Sequence, residues 1–337
     1  MGGFSSSQNK AVVRSKWNVP IINRWSSKLN RNLTYFGLPG PDVEDLIEWK
    51  KYLSASTGVE RLRQGRLNKE DLDVHRLLHK NVLLNGIPGF QLLRGDIETI
   101  ILEGADLDGK QPQRATGEHP LLSRFQFDLV NLDYLGGMGN KDKFGESRRI
   151  RSIKKLIERQ RGTSFLLLLT LNVRDSIEEE ITSYLSGAAR EAANERLQER
   201  EAALSWYIGL GDGMKKHKLK ALVPMFVRHE AERWGFDCFS YPPLTYEGTG
   251  QARMVHFTFE MVFISSVLHA FSQQTETEVI NMPLLEVVDG EITLVVPEQH
   301  PNFDARNFRY YLQQLPSPIS VVQISEAAVI SSGTVHE

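Results

Sequence analysis

Short apolar runs, each closed by glycine, proline or a polar cluster, alternate along the chain with stretches where apolar residues return every three or four positions. The runs predict buried strands, and the second spacing predicts helices with one buried face. Leu33-Thr34-Tyr35-Phe36 reads as a first strand. Asp42 then N-caps a helix that turns Val43, Leu46, Ile47 and Leu53 to one side. Thr57-Gly58-Val59-Glu60 reads as a short second strand. A helix over 68–84 buries Val74, Leu77, Leu78 and Val82, and it stops at Asn85-Gly86. The third strand is Phe90-Gln91-Leu92-Leu93-Arg94. The fourth starts at Phe127 and closes on Asn131, Asp133 and Tyr134 before a turn through Gly136-Gly137.

A helix over 146–161 carries Ile150, Ile153 and Ile157 on one face, and Phe165 to Leu171 is the most apolar run of the chain. Such a run belongs in a sheet centre, covered on both faces. Residues 176–207 read as a long helical region of alternating charge, and 219–233 as a helix around Pro224. Phe236 to Tyr241 and Met254 to Phe263 are strands, and the turn-rich segment 242–251 between them suits an antiparallel pair. Glu286 to Leu294 is a hairpin turned at Asp289-Gly290. The tail from Pro316 is expected to be loosely held. Strand and helix alternate as in α/β proteins. The expected organisation is a basic and aromatic extension over 1–30, a main domain over 31–265 and a C-terminal extension over 266–337.

Bulk properties narrow the function classes. The 337 residues suffice for one large domain with additions or for two domains. A net charge of −2 argues against a surface that binds nucleic acid as a whole, but not against a local basic patch. The single cysteine, Cys238, excludes an intrachain disulfide framework and a cysteine-rich zinc site, and it suits a reducing cytoplasm. The start has no leader-like pattern, and no apolar run approaches the ~20 residues that a membrane span needs. The expectation is a cytoplasmic chain with no membrane partner.

Candidate chemistry gathers at strand ends, where the crossing loops of an open parallel sheet part. Gly37-Leu38-Pro39-Gly40-Pro41 after the first strand is a turn that lets a ligand approach the backbone, although a purely structural turn fits equally. The helix after it opens on Glu44 and Asp45, which disfavours a phosphate and suits a cofactor without one. Glu60 is placed to accept bonds from ribose hydroxyls, or stands at the surface. Asp96 meets the edge of a purine or caps a helix, and the two roles are compatible. His75 and His79, one turn apart, lack a third ligand and read as solvated.

Two basic segments invite polyanions. Residues 1–41 hold Lys10, Arg14, Lys16, Arg24, Lys28 and Arg31 with no acid, interleaved with Trp17, Ile21, Ile22 and Trp25. They read either as a phosphate-contacting arm or as a helix whose tryptophans dock on the core, and burial is the commoner fate of large aromatics. The 146–161 helix carries Arg148, Arg149, Arg151, Lys154, Lys155, Arg159 and Arg161, a face fit for nucleic acid or simply for solvent.

Tyr35-Phe36-Gly37-Leu38-Pro39-Gly40, Glu60, Gly95-Asp96-Ile97 and Phe127 to Gly137, in that order, resemble the motifs of class I S-adenosylmethionine-dependent methyltransferases over roughly residues 30 to 265. The glycine turn is in the style of three-Cys-motif partner proteins, and His79 to Gly86 with Asp133-Tyr134 is also similar to tRNA guanine methyltransferases. The resemblance implies a Rossmann-like, doubly wound, mostly parallel sheet with an antiparallel strand pair near its end. It implies S-adenosylmethionine held by Tyr35, Gly37, Leu38, Pro39, Gly40, Glu60, Asp96 and Ile97, with no metal. It also implies methyl transfer to a nitrogen of a nucleic-acid base, with Asp133 orienting the amine, Tyr134 stacking on the base and Asn131 beside them. This sequence departs from the pattern in two places. Thr34 or Tyr35 stands where the family places an acid before the glycine turn, and no proline rigidifies Asp133-Tyr134. Both departures favour the alternative of a non-catalytic protein of the same fold that acts as a partner or scaffold.

Overall fold

The computed structural model describes residues 8–60, 69–112, 125–134, 147–173, 181, 215–248, 252–264, 278–279 and 282–295. Gly136-Gly137, nearly all of the 176–207 region and the tail from Pro316 lie outside them. An α-helix, α1 (Gln8–Val12), runs through a π-helical stretch (Val13–Asn18) into α2 (Val19–Leu29). Then follow β1 (Leu33–Gly37), α3 (Glu44–Trp49), β2 (Leu53–Glu60), α4 (Lys69–Asn85), β3 (Phe90–Arg94), α5 (Ile97–Glu103) and β4 (Leu129–Asp133). The chain continues through α6 (Arg148–Arg159), β5 (Phe165–Asn172), α7 (Lys215–Arg233), β6 (Phe236–Ser240), β7 (Leu244–Glu247), β8 (Arg253–Phe263), β9 (Leu284–Val288) and β10 (Glu291–Val295).

All the strands join one sheet in the order β10-β9-β7-β8-β5-β4-β1-β2-β3, with β6 also paired to β8. Strands β3, β2, β1, β4 and β5 run parallel, and β8 runs against β5 over eight residue pairs from Phe165↔Met261 to Asn172↔Met254. The direction of winding reverses between β1 and β4, so the crevice of this doubly wound sheet lies beyond Gly37 and Asp133. Both faces are covered. Leu167, Leu169 and Val130 face α5, α6 and α7 in one core, while Leu166, Leu168 and Leu129 face α2, α3 and Trp49 in the other. Phe165 to Leu171 is buried on both faces, as its unbroken apolar run requires.

Several boundaries differ from the sequence reading. The turn-rich segment 242–251 contains a four-residue strand, β7, which pairs with β8 on one side and with β9 on the other. The C-terminal hairpin therefore extends the main sheet instead of standing apart. On α4, Leu77 is exposed, and Leu78 and Val82 make the buried face.

The N-terminal extension is core. Trp17, Ile21, Ile22 and Trp25 are wholly buried. The Trp25 indole N–H donates to the Asp128 carbonyl at 3.0 Å and that of Trp17 to Thr258 Oγ1 at 3.3 Å. Burying one indole contributes on the order of 5 kcal/mol before ordering costs. Each of the six basic side chains finds a carboxylate. Lys10 meets Asp133, Arg14 meets Asp45 and Glu44, Lys16 meets Glu291, Arg24 and Lys28 meet Glu260, and Arg31 meets Asp128. Of the two readings of this segment, the structure shows the helix that docks its tryptophans on the core, with each cation beside a carboxylate of the chain.

Candidate functional site

The crevice is built on close backbone contact. A Cβ on Gly37 would lie 2.3 Å from the Asn131 carbonyl oxygen, and the Leu38 N–H donates to that same oxygen at 3.2 Å. Only glycine lets β1 end this near β4. Pro39 then folds over Gly58 of β2, whose missing Cβ leaves room for Pro39 and the Phe90 ring. Gly40 turns with φ 65° into open space. The helix that follows is entered through Val43 at φ 47°, a left-handed conformation that a β-branched residue rarely adopts. Val43, not Asp42, is the N-cap, and it makes no side-chain cap bond. Its side chain is fully buried among Leu33, Leu46 and Trp49, and that burial offsets a backbone cost of about 1–2 kcal/mol. The strained entry sets Asp45 beneath the strand ends.

A buried polar network gathers there. Asp45 accepts from Arg14 Nε at 2.6 Å and from Asn131 Nδ2 at 2.9 Å, while Arg14 also reaches Glu44 at 2.9 Å. Asp133, two residues beyond Asn131 on the same face, takes the Lys10 ammonium. Burial works against the charge on Lys10, but Asp133 and then Asp45 outweigh it and raise its pKa. Tyr35 is fully buried against Trp49, with its hydroxyl beside this network. Desolvation first, then Asp45, pushes its pKa well up. Tyr35 is therefore core and is not a contact for a cofactor at the surface.

The polar seam continues beneath the N-terminal helix. His256 Nδ1 lies 2.8 Å from Thr170 Oγ1 and Nε2 lies 2.9 Å from Asn18 Oδ1, a pairing that suits a neutral ring donating to Asn18 and accepting from Thr170. Burial pushes its pKa down to about 4. In the unfolded chain the ring protonates below about 6.5, so the unfolded state binds more protons between the two values. Stability present above pH 6.5 should then fall as the pH drops toward 4, by on the order of 3 kcal/mol. In urea melts across pH 4 to 7, His256→Gln is expected to flatten that slope. An unchanged slope would mean that His256 does not carry it.

The structure separates the residues that the sequence groups together. Side chains alternate along a strand, so Asp133 and Tyr134 point to opposite faces. Tyr134 is buried, with the Arg149 guanidinium 4.0 Å from its ring centroid and Glu98 bound to that guanidinium at 2.7 Å. Its ring is covered, which corrects the stacking role. Asn131 is likewise buried, its amide committed to Asp45, so it positions the network instead of facing a ligand.

Asp96 caps α5, its Oδ1 accepting from the Glu98 and Thr99 N–H groups. Ile97 is buried beneath it, and Glu60 ends β2 half-buried at the crevice, next to the Gly95 N–H that donates to its carbonyl. Residues 104–112 fold over the end of β3 through Asp106, which accepts from the Arg94, Asp108 and Lys110 N–H groups. Of the cations on α6, Arg148 bonds Thr99, Arg149 pairs with Glu98 and Arg159 donates to the Leu102 carbonyl, so these three fasten α6 to α5. Among the described residues no cluster of side chains fits a metal ion, and no helix is long and apolar enough to cross a membrane.

No protein-family model matches the chain, and no curated protein matches it. Solved structures with a similar chain path include Trm1 from Pyrococcus horikoshii in complex with S-adenosyl-L-methionine, with TM-score 0.44, 11% identity, and 96% of this chain and 75% of that one covered. An rRNA methylase from Streptococcus thermophilus aligns with TM-score 0.36 and 11% identity, covering 72% of this chain and 96% of that one. Trm5b from Pyrococcus abyssi aligns with TM-score 0.37 and 8% identity over 72% of this chain, which spans only 48% of Trm5b. None of these scores reaches 0.5, so the strand order and the reversed strand β8 define the fold.

Proposed function

We propose that the protein is an S-adenosylmethionine-dependent methyltransferase that acts on a nitrogen of a nucleic-acid base. The observation that carries this reading is the Asp133 carboxylate at the end of β4, held on the same crevice as the glycine turn of β1. The order β3-β2-β1-β4-β5 with an antiparallel β8 beside β5 agrees with the arrangement that the sequence resemblance implies. The turn leaves open space at Gly40, Glu60 ends β2 and Asp96 follows β3 as the cap of α5, a placement that suits the cofactor. The acid missing before the glycine turn has no replacement in Asp45, which Arg14 already occupies.

Bound there, the cofactor supplies an electrophilic methyl group. Asp133 accepts the N–H of the acceptor amine, aligns its lone pair and takes up the proton that the nitrogen sheds. Catalysis is then chiefly orientation. Arg151, Lys154 and Lys155 on α6 are half-exposed, with Lys155 paired to Glu158 at 2.7 Å, and would supply phosphate contacts.

The scaffold alternative draws on the Lys10 ion pair, which occupies Asp133 in this structure. Thermal melting with S-adenosylhomocysteine separates the two. At a hundredfold excess over Kd the stabilisation is about 2.7 kcal/mol, a rise in Tm of about 4 °C for a chain of this length. Transfer of labelled methyl groups to total RNA or DNA completes the test. Absence of both signals would reject the enzyme reading.

A further inference from the structure

A cleft of about 470 Å³ opens on the acceptor half of the sheet edge, between the first turn of α1 and the strand ends beyond β5. Gln8 and Asn9 form one wall, and Tyr246, Arg253 and Asp289 stand among the others. The next residue after that wall is Lys10, whose ammonium sits on Asp133. Asp133 lies opposite Thr170 on β5, three residues before the Val173 that lines the cleft. The cleft and the Asp133 carboxylate therefore lie at the same end of the sheet, and the first turn of α1 touches both.

We propose that this cleft receives the amine-bearing edge of the acceptor base, and that Lys10 is the chain's own occupant of the acceptor position, displaced when the base enters. The identity of the acceptor as a base rests on the methyl-transfer reading above. The chemistry of the cleft selects for an amine. Among the described residues, Glu247, Glu286 and Asp289 line it against the guanidinium of Arg253, a balance that repels a phosphate and favours an N–H donor. Asp133 is offered one such donor already, the Lys10 ammonium, and an exocyclic amine presents the same N–H to the same oxygen. A carbonyl edge presents no such donor.

The segment is built to lift. Of α1 only Val12 is buried, whereas α2 is fixed by Ile21, Ile22 and Trp25. The π-helical stretch Val13–Asn18 joins the two, and such wider turns often mark functional joints in helices. Lifting the first turn breaks the contact with Asp133 and leaves the tryptophan anchors in place.

Lys10→Met tests this with two readouts. Amide hydrogen exchange over residues 8–12 is expected to quicken about tenfold, with 17–29 unchanged; a tenfold step corresponds to about 1.4 kcal/mol. Saturation-transfer NMR with adenosine and cytidine should show binding to Lys10→Met at least tenfold tighter than to the native protein, with uridine unaffected. Adding Asp133→Asn should remove that gain. Unchanged exchange, or an equal gain for uridine, would overturn the proposal. S-adenosylhomocysteine melting reads the methyl-transfer assignment separately. A gain in amine binding without a cofactor shift would sink that assignment and leave the cleft standing.

Discussion

Asp133→Asn is expected to lower methyl transfer by about 10²- to 10⁴-fold, the usual worth of a positioned proton acceptor. The substitution keeps shape and a hydrogen-bonding oxygen but removes the charge that takes the proton, so the melting shift with S-adenosylhomocysteine should persist. Asp133 lies on the β4 side of the winding reversal, whereas the glycine turn, Glu60 and Asp96 lie on β1, β2 and β3. A variant that lost cofactor binding and turnover together would move Asp133 to the cofactor half of the crevice. Because Asp133 also neutralises Lys10, asparagine should loosen the first helical turn. The activity loss is therefore best read beside Lys10→Met, which loosens the same turn without touching the carboxylate.

Gly37→Ala is expected to cost about 3 kcal/mol or more, at or beyond the upper end for overpacking. The new methyl would meet the Asn131 carbonyl at 2.3 Å, and that atom is backbone, fixed by the β1–β4 ladder and bonded to the Leu38 N–H. Relief requires the two central strands to part at the crevice, so cofactor binding should fall along with stability. Urea unfolding compared with Gly40→Ala makes the contrast plain. Gly40 has nothing within 4 Å, and its alanine meets only the strain of φ 65°. Equal losses at the two positions would show that close strand approach is not what Gly37 provides.

The sheet was legible because its strands carry their burial in their own residues. Phe165 to Leu171 and Phe90 to Arg94 announce themselves as apolar runs, and the observed spans agree with them closely. Strand β7 was hidden by brevity and by Pro242-Pro243 before it, which together read as a turn. Trp17 and Trp25 favoured burial over stacking in the sequence, and the structure shows the indoles inside the core.

The candidate site was legible in its strand ends but not in its partners. Asp133 was found from the polar close of an apolar run, while Lys10 lies 123 residues away and Arg14 pairs with Asp45 across 31. Nothing local to either residue encodes those meetings. The opposed directions of Asp133 and Tyr134, by contrast, follow from the two-residue period of any strand. That signal was present, and the motif resemblance overrode it.

The N-terminal helix also has a consequence for how the protein is made. Trp17 bonds Thr258 across 241 residues, Lys28 bonds Glu260 across 232, and Asn18 meets His256 across 238. Residues 8–29 leave the ribosome long before β8 exists, and Trp17 lacks its Thr258 partner until that strand is synthesised. The segment therefore completes its docking only after β8 is made. Until then the Trp17 indole is apolar surface that a nascent-chain chaperone can hold.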